Sequence, residues 1–273
     1  MPILRRQALV LAGGLPFAGA LPLTLLSRLA EAATPKDTVV IASQIDDLIT
    51  LDPGEEYEIS GQILVSNIYD RLVRYEAEDL TKLVGAVAES WEVGKDNKTF
   101  TFKLRPNQKF ESGAVVTADD VAWSLQRVVL MDKTPAFLFN QLGWKKDNVK
   151  DLIKAVDAST LQFKIVEDFS PVMVLNLMAT TAGSVVEKKV ALTNEKNGDM
   201  GNEWLKTHSA SCGAYKLISW KANESVTRRH FPAIASRPRP SASSSATCPS
   251  PVPSASCWRR ATSTWPGACS PTS

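Results

Sequence analysis

The chain has 273 residues, with 31 lysines and arginines against 29 aspartates and glutamates, and a formal net charge of +2. A surface that grips a polyanion concentrates an excess of Lys and Arg, so this near balance argues against nucleic acid as a partner. The 44% hydrophobic content is that of an ordinary globular protein, and the length admits one large domain or two small ones.

The leader differs from the rest of the chain. Arg5 and Arg6 precede an apolar stretch over 8–26, and Ala30-Glu31-Ala32 supplies the small-x-small pattern that a signal peptidase accepts. Residues 1–32 therefore read as a signal peptide, cleaved after Ala32 or Ala33, and the mature chain is expected in the periplasm. Gly13, Gly14, Pro16, Gly19 and Pro22 interrupt the stretch, which argues against a retained membrane span. Two adjacent arginines alone are a weak sign of twin-arginine export, and no cysteine stands near the cleavage site to carry a lipid.

Residues 33–230 read as a mixed α/β fold. Within 38–43, Val39, Val40 and Ile41 form an unbroken apolar run that suits a strand buried on both faces. From 63 to 72, Ile63, Leu64, Ile68, Tyr69 and Leu72 recur at helical spacing, which predicts a loop and a short helix. The sharpest local signal comes next. Segments 91–93 and 99–105 flank Gly94-Lys95-Asp96-Asn97, and Phe100, Phe102 and Leu104 alternate with Thr101, Lys103 and Arg105, as a half-buried hairpin requires. Pro106-Asn107 ends that strand. Thr117 then sits where an N-cap belongs, Asp119 and Asp120 fall in the first turn, and Val121, Leu125, Val128 and Val129 form the buried stripe of a helix. Leu161, Phe163 and Ile165 alternate as another strand, and Ser170-Pro171 starts a helix carrying Val174, Leu175 and Met178.

At 231 the composition changes abruptly. Residues 231–273 are crowded with Ser, Pro, Arg and Ala, contain no Asp, Glu or Lys, and show no apolar period, which predicts a disordered tail. Cys248, Cys257 and Cys269 fall in it, leaving Cys212 by itself, so no disulfide framework is expected despite the even count.

Chemistry-bearing motifs are sparse. There is no Gly-x-Ser-x-Gly, no phosphate-cradling glycine loop and no His-Glu-x-x-His, so the expectation is a protein that is not an enzyme and carries no cofactor. His208 and His230 are too few imidazoles for a nickel or zinc site. Asp119-Asp120 is better explained by capping than as a carboxylate pair. Trp91, Trp123 and Tyr69 read as core rather than as ligand-stacking rings. Trp204 and His208, four apart, read as packing partners on one helix face.

Several segments then add up. Leu51-Asp52-Pro53 is followed by Asn67-Ile68-Tyr69-Asp70-Arg71-Leu72-Val73; then come Ala88-Glu89-Ser90-Trp91 and the strand 99–105. Lys109-Phe110-Glu111-Ser112-Gly113 leads into 116–121, and Cys212-Gly213-Ala214-Tyr215-Lys216-Leu217 closes the series. In this order and spacing, residues 38–229 resemble the extracytoplasmic solute-binding proteins of ABC importers, family 5, the dipeptide/oligopeptide/nickel-binding type. Two departures stand out: Ser211 replaces the first glycine of the family's Gly-x-Gly-x-Tyr turn, and Glu111-Ser112 is an unusual pair before Gly113.

The resemblance implies a periplasmic-binding-protein type II-like α/β fold. Here it would be an incomplete first lobe with a mixed sheet and a small β-hairpin/helix subdomain, followed by the disordered tail. It implies the substrate-binding component of an ABC importer for peptides or similar small solutes. Its partners would be a small-molecule or peptide ligand and the transporter's permease subunits, and a monomer is expected. It places the loop 46–50 at the edge of a ligand cleft, where extended backbone can pair with a peptide, with Asp47, Leu48 and Thr50 facing the ligand. The alternative for that loop is that Leu48 and Ile49 are core and the aspartates a solvated turn. Relatives run to roughly twice this length, two lobes of ordinary domain size, so the chain is expected to be truncated. Codons for 246–266 can be chosen so that another frame opens a strand-turn-helix string of the family's kind, which points to a frameshift near 231–236. The competing expectation is a pseudogene fragment with no ligand-binding activity.

Overall fold

The computed structural model describes residues 38–231 and the backbone of 242–246. In chain order the elements are β1 (Thr38–Ala42), α1 (Ile59–Ile68), β2 (Val73–Tyr75), β3 (Leu83–Gly85), β4 (Ala88–Val93), β5 (Thr99–Leu104) and α2 (Ala118–Met131). Then follow α3 (Ala136–Asn140), α4 (Val149–Leu152), β6 (Ile153–Asp157), β7 (Thr160–Lys164), α5 (Pro171–Met178) and a 3-10 turn, Thr181–Gly183. The last are α6 (Lys188–Thr193), α7 (Asn202–Leu205), β8 (Tyr215–Lys221), β9 (Ser225–His230) and β10 (Ala242–Ala246). The strands make a four-stranded sheet β1-β10-β9-β8, a pair β2-β3, and a four-stranded sheet β4-β5-β7-β6. The mixed α/β class expected from the sequence is what the chain folds into.

The expected hairpin is β4–β5. Asn97 takes the left-handed conformation at φ 54°, and Asp96 Oδ1 accepts the N–H groups of Lys98 and Thr99, so the turn residues do what their chemistry allows. Phe100 and Phe102 point inward from β5 and stack on Phe163 of β7 at 5.1 and 5.5 Å. α2 covers this sheet with Val121, Leu125, Val128 and Val129. Its start is a capping box: Thr117 Oγ1 accepts the Asp120 N–H at 3.3 Å, and Asp120 Oδ2 accepts the Thr117 N–H at 3.1 Å. α5 starts as expected, with Ser170 capping it and Pro171 in its first turn.

The loop and short helix expected over 63–72 take definite bounds, whereas the expectation for β1 needs correction. α1 begins at Ile59 and stops at Ile68, and Tyr69 is extended. The cause is tertiary. The carbonyls of Ile68, Asp70, Arg71 and Leu72 accept N–H groups from Gly213, Val185, Val87 and Ala86 at 2.9–3.0 Å, so their backbone is committed across the fold and not along a helix. A side chain at 213 would collide with the Ile68 carbonyl, which is why a glycine stands there.

The run Val39-Val40-Ile41 is not buried on both faces; its residues are 41%, 52% and 47% exposed. Among the described residues β1 is an edge strand, bonded to β10 alone. Within the stretch expected to be disordered, 242–246 pairs parallel with β1 and antiparallel with β9. The rest of the tail with its three cysteines, and the signal peptide at 1–32, lie outside the described residues. Cys212 is buried and free.

Candidate functional site

The loop from β1 to α1 is built to hold one shape. Gln44 Nε2 donates to Asp46 Oδ2 at 2.9 Å. The Ser60 hydroxyl donates to the Gln44 carbonyl at 2.9 Å, and the Ser60 N–H donates to Asp47 Oδ2 at 3.3 Å. Loop and first turn of α1 are thereby one surface, with Asp47 satisfying a helix-start N–H that would otherwise lack a partner. Leu48 packs into a core with Leu51, Leu64, Val65 and Ile68. Thr50 is buried, and its Oγ1 accepts the Asp52 N–H at 3.1 Å.

The three residues expected to face a ligand therefore separate: Asp47 is exposed, while the side chains of Leu48 and Thr50 point into the protein. Ile49, grouped with Leu48 as core in the alternative, is 65% exposed. On α1, Ile59 and Ile63 stand four residues apart on one exposed face, and the exposed Tyr57 meets the exposed Phe137 edge-on at 5.6 Å. The result is an apolar face beside the aspartates of the loop. Exposed apolar surface rimmed by polar groups is how binding faces commonly look.

Glu56 lies inside, wholly buried, with neither carboxyl oxygen in a hydrogen bond of good geometry. Burial pushes its pKa up to about 8; Thr181 nearby opposes the shift, and the charges of Glu58 and Asp47 add to it. Gly61 makes room for it, because a Cβ there would sit 2.6 Å from Glu56 Cγ.

Asp52 fixes the far end of the loop. Its two oxygens accept from Arg127 Nη1 and Nη2, both at 2.7 Å, and both residues are fully buried. Asn202 donates to Asp52 Oδ2 at 2.7 Å and the Gly54 N–H to Oδ1 at 2.9 Å. Arg127 Nε donates to the Met200 carbonyl at 2.8 Å, and its guanidinium stands 5.7 Å from the Trp123 ring centre. This node joins the loop to α2 and α7. The sequence offered Leu51-Asp52-Pro53 as a motif but not its partner; the available signal was an arginine next to the apolar stripe of α2.

The remaining candidates serve the fold. Asp120 completes the capping box, and Asp119 pairs with Lys188 at 2.7 Å. Tyr69 is buried, its hydroxyl accepting the Ala210 N–H, and Trp91 and Trp123 pack partly buried against the two cores. Trp204 and His208 stack at 4.7 Å. No group of three or more potential metal ligands occurs among the described residues.

A mixed α/β body thus presents an apolar, carboxyl-edged face on a pinned loop. Residues 82–240, more than half of the chain, match the family model of the bacterial extracellular solute-binding proteins, family 5, and the chain belongs to that family. It is 31% identical over 210 residues to the probable D,D-dipeptide-binding periplasmic protein DdpA of Escherichia coli K12, covering 74% of this chain and 38% of that protein. It is 28% identical over 210 residues to the dipeptide-binding protein DppE of Bacillus subtilis 168, covering 72% and 36%. The chain thus spans little more than a third of either relative. Among solved structures, MoaA of A. tumefaciens R10, in complex with mannopinic acid, superposes over 77% of this chain and 40% of its own with a TM-score of 0.64 and 26% identity. The E. coli murein tripeptide binding protein MppA does so over 77% and 42%, with a TM-score of 0.64 and 25% identity. These neighbours share the fold type expected from the sequence.

Proposed function

We propose that the chain is the ligand-gripping lobe of the substrate-binding component of an ABC importer for peptides or similar small solutes. It acts by binding and not by catalysis, without a cofactor, as an exported monomer in the periplasm. Its partners are a peptide or small-molecule ligand and the permease subunits, and nucleic acid plays no part. The observation that supports this most is the exposed face of α1 bearing Ile59 and Ile63 beside Asp47, whose Oδ2 accepts the Ser60 N–H, on a lobe of this family. Asp47 meets the ligand by its side chain; Leu48 and Thr50, with side chains buried, contribute backbone alone. In a two-lobed receptor, ligand held on such a face shifts the population toward a closed form that the transporter reads.

Backbone amide NMR of the full chain, titrated with tripeptides bearing an apolar central residue, tests the proposal. Shifts confined to 46–50 and the first turn of α1, weakened by Asp47→Asn, are expected. Silence of that region across peptides of varied sequence would count against it.

A second reading has an observation of its own. The exposed apolar run of β1, in a chain spanning little more than a third of its relatives, fits a fragment without binding activity. Calorimetric unfolding separates the two: a single sharp transition favours the receptor lobe, a broad non-cooperative one the fragment.

A further inference from the structure

Glu56 is an acid placed where its charge has no support. It is wholly buried, and neither carboxyl oxygen is in a hydrogen bond of good geometry among the described residues. An ionised carboxyl in such a place lacks both water and donors, so the fold favours the neutral acid. The charges that bear on it add to this preference: Glu58, at the N-cap of α1, and Asp47, in the loop, are both anionic. From the 3-10 turn comes the neutral Thr181 side chain, which opposes them, and the carboxyl is pushed up to about 8. α1 is seated directly on this acid: a Cβ at Gly61 would lie 2.6 Å from Glu56 Cγ and 2.7 Å from its Oε1.

What yields when the proton leaves is set by the chain on either side. Upstream, the Glu56 N–H donates to the Asp52 carbonyl at 2.8 Å, and Asp52 is fixed by Arg127 and Asn202. Downstream, Leu64, Val65 and Ile68 anchor the second half of α1 in a core. Between these two anchors Tyr57 and Ile59 are exposed, and Glu58 and Ser60 are half-buried. The first turn of α1 is therefore the stretch least held by packing. It is also the stretch that Ser60 ties to the loop, through the Gln44 carbonyl and Asp47 Oδ2. Water reaches a Glu56 carboxylate once this turn moves, and moving it breaks both Ser60 bonds.

We propose that Glu56 is a pH-sensitive latch: as the neutral acid it seats the first turn of α1 against the loop 44–47, and on ionisation it releases that turn and the face bearing Ile59 and Ile63. The consequence rests on the reading of that face as the ligand face. Grip is then held in acid and neutral surroundings and loosened in alkaline ones. The sign follows from linkage. A ligand that binds the latched form alone opposes loss of the proton, so with a midpoint near 8 its apparent affinity falls roughly tenfold from about pH 7 to about pH 9.

The test is methyl NMR of the full 273-residue chain, first without ligand, from about pH 6 to about pH 9. The Ile59 and Ile63 methyls are expected to move with a midpoint near 8, while those of Ile153 and Ile165, in the other core, stay in place. Glu56→Gln, which cannot ionise, should abolish the movement. Thr181→Val removes the side chain that favours the ionised form, so it should raise the midpoint, and it keeps the test open should the Glu56 variant fail to fold. Methyls that stay still in the natural chain, or move equally in Glu56→Gln, would overturn the latch whether or not any peptide binds. Titration with tripeptides bearing an apolar central residue, at both ends of the range, then reads the grip. Equal affinity at both ends, with the methyls moving, would overturn control of the grip. Moving methyls with no peptide bound at either end would support the latch and sink the reading of the α1 face as the ligand face.

Discussion

At residue scale, the Asp52–Arg127 pair shows what a buried charge needs. The two hydrogen bonds of one bidentate pair, the Asn202 amide and the Gly54 N–H leave neither Asp52 oxygen bare. Removing one partner strands the other in the interior, so Asp52→Ala should cost about 3–5 kcal/mol. Urea unfolding checks this, and a loss below about 1 kcal/mol would mean that water reaches Arg127. Glu56 is the opposite case, a carboxyl the fold holds neutral. Its folded value of about 8 lies above the ordinary 4.5, so the unfolded chain gives up the proton first. Stability should therefore fall as pH rises from about 4.5 to about 8, by up to roughly 1.4 kcal/mol per pH unit, and level off above. Glu56→Gln should remove that slope; unfolding curves of the two proteins that run parallel across this window would show that Glu56 ionises freely. Neither role was legible in the sequence, because each depends on residues brought together from distant segments, Arg127 to Asp52 and Thr181 to Glu56.

At the scale of elements, legibility followed locality. The β4–β5 hairpin, the start of α2 and the start of α5 are each determined by a few adjacent residues, and each was readable. Thr117→Ala tests one directly. It removes a hydroxyl that both accepts from the Asp120 N–H and donates to Asp120 Oδ2 at 2.6 Å, and should cost about 1 kcal/mol in thermal or urea melts. Thr117→Ser should recover most of it, and if Ser does no better than Ala the cap is not what holds the turn. The end of α1 was not readable, because Gly213 and Val185 draw the backbone of 68–70 away from helix, and both stand far downstream in the chain. The candidate loop was half legible for the same reason. Its aspartates mark a turn wherever they stand, but which of Leu48, Ile49 and Thr50 turns inward depends on the α1 core and on the Asp52 node.

At the scale of the whole molecule, the exposed face of β1 bears on how the chain should behave in solution. Val39, Val40 and Ile41 are half exposed on an edge strand. An apolar run suits burial only if strands or helices arrive to cover it, and that is a property of the assembled fold, not of the run. An uncovered apolar edge carries free backbone donors and acceptors beside sticky side chains, which is the geometry through which strands pair between molecules. The expected working state is a monomer, so this edge is a liability that should grow with concentration. Light scattering of the full chain should rise with protein concentration, and Val40→Lys, placing a charge on the edge, should suppress most of the rise without lowering the unfolding temperature. Scattering that is unchanged by the lysine would locate the association elsewhere, with the exposed Ile59–Ile63 face of α1 the next surface to charge.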